Sequence, residues 1–184
     1  MKLFLSLFAL FLLISCKKEN PEPLVQKTYP IEDFYKNLRI GGGSFSEDET
    51  KLLVHSDASG IFNVYEIDIA TGEQTQITRS ENESYFSVDY VPGSGEIIYF
   101  ADKGGNEIDH LYLLKKDGTS VDLTPGENEK AEFKGWSDDK KSMFYLSNKR
   151  DSRFFDLYKM SVENWNPELI YENNEGLNIS AISH

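Results

Sequence analysis

The 184-residue sequence predicts an all-β fold: a partial β-propeller of about three four-stranded antiparallel blades plus the start of a fourth. Three observations predict it. First, the segments "GSFSEDETKLLVHSD", "VDYVPGSGEIIYFAD", "FKGWSDDKKSMFYLSN" and the interrupted "NISAISH" look alike. Taking the residue before each turn as Ser46, Pro92, Ser137 and Ser183 gives a period of about 45 residues, as in propeller blades or paired-helix repeats. Second, each full unit divides into short runs separated by turn residues, and no window past the N-terminus carries a helical stripe. Third, the second run of each unit is apolar on both faces, as in Ile97-Ile98-Tyr99-Phe100. A sheet with one wet face would alternate, so these runs read as strands packed between neighbouring blades.

The elements follow in order. Unit one has an innermost strand near Gly43–Phe45, then "KLLVHSD", "NVYEIDI" and "QTQIT", with "ATGE" as its last hairpin. Unit two has "SVDYV", "EIIYFAD", "HLYLLKK" and "SVDLT". Unit three has "EFKGW", "SMFYLSN", "DLYKMS" and "PELIY". The loops "SDASGIFN", "ADKGGNEID" and "SNKRDSRFFD" join second strands to third strands. Hairpins alternate ends along an antiparallel sheet, so all three loops belong on one face. The repeat breaks off at "ISAISH", where a turn and a second strand are due, and propellers usually close with more blades. The expectation is the N-terminal part of a longer protein, with the propeller over 31–184.

The N-terminus reads differently. Residues 1–16, "MKLFLSLFALFLLISC", have a positive start, an apolar run and a small residue before Cys16, which describes a secretory signal. Its Leu-Ile-Ser-Cys ending resembles a bacterial lipobox, and Cys16 is the only cysteine. The plain alternative is a signal peptide with an incidental cysteine. The lipobox reading makes Cys16 the lipidated first residue of an exported, membrane-anchored lipoprotein, periplasmic or outer-membrane. Several acyl chains hold where one would not. Residues 17–30 are polar, contain three prolines and read as a flexible tether.

Composition narrows the function classes. The formal charge is −12, which argues against nucleic acid as a partner, since that requires a basic stripe. The aromatic share of 13% suits pleated, half-buried surfaces. His55, His110 and His184 fall in different units with no metal-ligand spacing, and His55 and His110 read as strand residues. No metal or cofactor site is expected. No Gly-x-Ser-x-Gly elbow occurs, and no catalytic residue is assigned to this chain. Gly41-Gly42-Gly43 reads as close backbone packing or a bulge on an innermost strand.

Several stretches carry a family resemblance. "ADKGGNEIDHLYLLKKDG" resembles a blade of the prolyl oligopeptidase-family serine peptidases, where Asp-x-x-Gly-Asp/Asn-Glu precedes a Leu/Ile-Tyr strand. "LTPGENEKAEFKGWSDD" resembles their Leu-Thr-Pro link, and "NKRDSRFFDLYKM" their Asn-x-Arg-Asp-x-Arg stretch. The opening "YPIEDFYKNLRIGGGSFSEDETKLLVHSD" is similar to their usual start. Ser46-Glu47-Asp48-Glu49 departs from the Ser-Pro-Asp-Gly of that pattern, and "ENWNP" replaces a Gly turn, as in a divergent member. The resemblance implies a C-terminal α/β-hydrolase domain, absent from this chain, that the propeller would gate for peptide substrates.

Three side chains are candidate contacts to substrate or to that missing domain: Glu107, Arg150 and Arg153. For each, a loop-fixing ion pair is the competing reading. Two functions stay open at this point. One is the substrate-gating propeller of a lipid-anchored serine peptidase acting on peptides. The other is a TolB-like or WD40-like propeller that binds protein partners without catalysis.

Overall fold

The computed structural model describes residues 26–180 and 182. Cys16, the signal segment, most of the tether and part of the anticipated fourth-blade strand lie outside the described residues. The chain divides into two compact units, one ending at Asn37 and one beginning at Leu38. In the first, a short 3-10 turn, η1 (Ile31–Phe34), follows Pro30, and Lys36 Nζ donates to Asp33 at 2.8 Å.

The second unit is built from twelve strands in three four-stranded antiparallel sheets, each using four consecutive strands in order. Blade one is β1 (Ile40–Phe45), β2 (Lys51–Ser56), β3 (Asn63–Asp68) and β4 (Gln74–Gln76). Blade two is β5 (Phe86–Tyr90), β6 (Ile97–Ala101), β7 (His110–Leu114) and β8 (Ser120–Asp122). Blade three is β9 (Ala131–Trp136), β10 (Ser142–Ser147), β11 (Asp156–Ser161) and β12 (Pro167–Tyr171). These are the blades of a partial propeller. The described part of "NISAISH" carries no strand. An innermost strand hydrogen-bonds to the second strand of its own blade, and the described residues contain no such partner for it.

The second strands are buried on both faces, as their unbroken apolar runs require: β6 and β10 expose almost nothing. Leu53, Ile98 and Met143, one from each second strand, are fully buried. Each such side chain contributes roughly 1.5–3 kcal/mol of transfer free energy.

One feature repeats beyond the sequence pattern. All three innermost strands are bulged, with the register skipping Gly43, Val88 and Lys134. Gly43 has φ +144°, a conformation that side-chain-bearing residues rarely adopt. The turn alignment is corrected at one place. Ser46 N donates to Lys51 O at 2.9 Å, Val91 N to Glu96 O at 2.7 Å and Ser137 N to Ser142 O at 2.8 Å. The residue equivalent to Ser46 is therefore Val91 and not Pro92. Proline has no N–H to make this bond.

Each third strand begins with a polar residue that ties the end of its blade's fourth strand or the link that follows it. Asn63 Oδ1 accepts from Thr78 Oγ1 at 2.9 Å and Ser80 N at 2.8 Å. His110 Nδ1 pairs with Asp122 Oδ2 at 2.7 Å. Asp156 Oδ1 accepts from Asn173 N at 2.8 Å. Threonine completes the tie in two blades: Val64 N donates to Thr78 Oγ1 and Leu111 N to Thr124 Oγ1. The "Ile-Thr" and "Leu-Thr" pairs are thus strand ends whose hydroxyl replaces a missing ladder partner.

Candidate functional site on the loop and link face

The loops over 57–62, 102–109 and 148–155 share one face with the links over 79–85 and 125–130. Side chains from the links hold the loops. Glu83 Oε2 accepts from Gly104 N at 2.8 Å, and Lys130 Nζ donates to Glu107 O at 2.9 Å while pairing with Asp109 at 2.8 Å. Asn148 Oδ1 accepts from Lys130 N at 2.7 Å. The sequence pointed to neither Glu83 nor Lys130, and to Asn148 only as the first residue of the family-like "NKRDSRFFDLYKM" stretch. Each acts across 18 to 23 residues, and local spacing carries no signal for that.

Glu107 sits at the tip of the second loop. Its φ is +60°, unusual for a residue with a side chain, and its backbone is fastened on both sides. The N–H donates to Asp102 Oδ2 at 2.9 Å and the carbonyl accepts from Lys130. Asn106 Oδ1 takes the neighbouring N–H groups of Lys103 and Ile108. The Glu107 carboxylate is exposed and has no partner among the described residues.

Arg150 is placed differently. Its Nε and Nη2 grip the two oxygens of Asp156 at 2.7 and 2.9 Å, and Nη2 also donates to Asn173 O at 3.1 Å. Asp156 is fully buried, and the Arg150 bond holds its carboxyl below the usual range against the opposing effect of burial. This guanidinium secures the blade-three link. Arg153 is exposed. It makes a bidentate pair with Asp151, closest at 2.7 Å, and lies 5.0 Å from the Phe154 ring centroid. The pair lowers the Asp151 pKa. Of the three predicted contacts, Arg150 is committed to the fold, Arg153 is held by its neighbours, and Glu107 presents an unpaired charge.

Asp89 joins all three innermost strands. Its carboxylate accepts from Ser44 Oγ of blade one and from Trp136 Nε1 of blade three at 2.9 Å. Between blades one and two, His55 Nδ1 lies 3.1 Å from Ser87 Oγ, and Tyr90 Oη donates to Glu66 Oε1 at 2.9 Å. Burial lowers the His55 pKa. Gly41 and Gly42 make this approach feasible. A Cβ at Gly41 would stand 2.6 Å from the His55 ring, and one at Gly42 would stand 2.4 Å from Ser87 Oγ. Among the described residues, no group of three or more His, Cys, Asp or Glu is placed to hold a metal ion.

Comparison with known proteins assigns the architecture. A model of the dipeptidyl peptidase IV (DPP IV) N-terminal region matches residues 58–181, from the first second-to-third-strand loop past the end of blade three. The chain belongs to this family. It is a peptidase-family propeller domain. It is 34% identical over 101 residues to dipeptidyl aminopeptidase BIII of Pseudoxanthomonas mexicana, which covers 54% of this chain and 14% of that protein. This chain therefore spans a small fraction of that curated relative. Among solved structures, it is similar to Porphyromonas gingivalis dipeptidyl peptidase 4, with TM-score 0.55 and 15% identity over 79% of this chain and 21% of that one. It is equally similar in fold to a putative TolB from Agrobacterium tumefaciens, with TM-score 0.57 and 20% identity over 73% of this chain and 50% of that one.

Proposed function

We propose that these three blades form part of the wall of a substrate-gating propeller in a serine peptidase that acts on peptides. The catalytic hydrolase domain would be encoded outside these 184 residues. The observation that carries the reading is the family match over residues 58–181, which spans the loops of one face. Gating is steric in this reading. Rigidly fastened loops around a channel admit short flexible peptides and turn folded proteins away. Acyl transfer needs an activated serine, a base and oxyanion donors, and this chain would supply none of them. We further propose that the protein is exported and anchored through lipid on Cys16.

A fluorophosphonate probe tests the first proposal. The protein product containing this chain together with any downstream domain should label on one serine outside residues 1–184, and should cleave short peptides while sparing folded proteins. A folded product that does not label favours the alternative of a non-catalytic protein-binding propeller, for which the TolB-like fold is the supporting observation. Palmitate labelling in cells tests the anchor: Cys16→Ser should abolish incorporation.

A further inference from the structure

A cleft of about 510 Å³ opens between blades two and three on the loop and link face. Its floor is apolar, made by Val88, Phe100, Leu111 and Phe133, and its rim carries Asp109 and Lys130. Phe100 and Phe133 are only half-buried. Phe100 is also the end of a row of rings that starts in blade one. Phe62 and Phe86 are 5.0 Å apart, and Phe86 stacks on Phe100 at 4.9 Å. At the blade-one end the Arg39 guanidinium lies 4.8 Å from the Phe62 centroid and is paired with Asp57 at 2.7 Å. A cation over a ring with a carboxylate beside it is a favourable arrangement. Among the described residues the cation–ring pairs are at Tyr29, Phe62 and Phe154, and the Phe100 ring at the other end of the row is in none of them.

The charges at that end are unbalanced. Asp109 is neutralised by Lys130, and Glu132, also at the rim, by Lys134 at 2.6 Å. Lys130 spends a further donor on Glu107 O, which sets the backbone of Glu107, itself not a lining residue, beside this rim lysine. The Glu107 carboxylate has no ion-pair partner among the described residues. The site therefore combines unfilled apolar volume, half-exposed ring surface and one uncompensated negative charge. We propose that this cleft binds an extended peptide segment in which a large apolar side chain neighbours a basic one. The apolar side chain would fill the floor, and the basic one would reach Glu107. The inference rests on the reading of the chain as a peptide-handling propeller and names the peptide chemistry it prefers.

Fluorescence anisotropy with labelled decapeptides on this chain tests it. Three peptides of otherwise alanine and glycine would carry Leu-Arg, Leu-Glu or Ser-Arg at the centre. Leu-Arg should bind about tenfold tighter than Ser-Arg, the least that burying a leucine side chain is worth, and about fivefold tighter than Leu-Glu, the scale of an exposed ion pair. Glu107→Gln, a change at an exposed side chain, should erase the preference for Leu-Arg over Leu-Glu and keep that over Ser-Arg. Val88→Lys, placed on the cleft floor, should erase both, with its circular dichroism and Tm recorded alongside. The proposal is overturned if the three peptides bind within about threefold of one another, or if Glu107→Gln keeps the full preference. These outcomes are separate from those of the gating reading. A product that gates and labels, with no discrimination among the three peptides, sinks the cleft alone. Discrimination in a protein that never labels leaves the cleft as the site of a binding module.

Discussion

Both seams between blades bury an apolar cluster, Leu53 and Val64 with Tyr90, Ile97 and Tyr99 at the first, and they differ in what lies at its margins. At the seam of blades one and two, small residues let backbones approach. Gly41 and Gly42 lie against His55 and Ser87, and β5 runs beside β1, β2 and β3. Polar pairs then cross the gap: His55 with Ser87, Ser44 with Asp89, Tyr90 with Glu66. At the seam of blades two and three, bulky side chains hold the sheets apart. Ile98, Leu111, Leu113, Met143, Tyr145, Tyr158 and Met160 form one apolar cluster there. Clefts of about 510 and 340 Å³ flank it, one on the loop and link face and one beside β8 and the start of β12. The seam of blades one and two is tight where Gly41 and Gly42 meet His55 and Ser87, and its cleft, about 250 Å³, lies at the turn end beside Phe45, Tyr90 and Trp136. The seam of blades two and three leaves larger gaps at its margins.

Three changes break or sharpen that contrast. The largest effect is expected from Gly42→Val. The new side chain meets Ser87 at a position with φ +80°, so overpacking adds to backbone strain. Together they should cost about 4 kcal/mol, read from urea unfolding. Gly43→Val is the control. Its Cβ would meet nothing within 4 Å, so it carries the backbone cost alone, about 2 kcal/mol. Equal losses in the two variants would mean that close approach does not hold this seam.

Met143→Ala acts on the other seam. Met143 is fully buried in the cluster between blades two and three, and its truncation should cost about 3 kcal/mol. The loss should loosen the cleft without touching the first seam. Hydrogen exchange is then expected to rise in β9 and β10 and to stay unchanged in β1 and β2. A uniform rise over all three blades would show that the seams are not separate.

The smallest effect is a pH dependence confined to the first seam. Burial depresses the His55 pKa below its ordinary 6.5, so the unfolded chain binds a proton more readily than the folded one. The His55 contribution to stability is complete above pH 6.5 and is lost as the pH falls through the lower folded value. Carboxylates act in a different window. Asp48, held at about 2 by Ser46 and Thr50, and Asp156, lowered by Arg150, contribute above the ordinary 3.8 and lose that contribution below it. Between pH 6.5 and 5 the slope should therefore be that of His55, and His55→Gln should flatten it. An unchanged slope in that variant would place the titration elsewhere.

Much of this structure is written in the sequence, because it depends on local chemistry. Alternation of apolar runs with Gly, Asp and Asn turns marks twelve strands, and "SMFYLSN", "DLYKMS" and "PELIY" coincide with β10, β11 and β12 almost residue for residue. The two-faced burial of β6 follows from its unbroken apolar run. Glu107 was named in the sequence beside Asp102 and Asp109 in a glycine-rich loop, with an ion pair as the competing reading, and that its carboxylate is exposed is a tertiary result. Tertiary structure alone decided which charges are spent. Arg150 and Arg153 look alike in "NKRDSRFFD", yet only Arg150 reaches a fully buried aspartate. The roles of Lys130, Glu83 and Asp89 were likewise invisible, since each meets partners about 20 to 47 residues away. Patterns of period two report which face of a strand is buried. They carry no information on which blade lies against that face, and so the tight seam and the open one could be told apart only once the blades had packed.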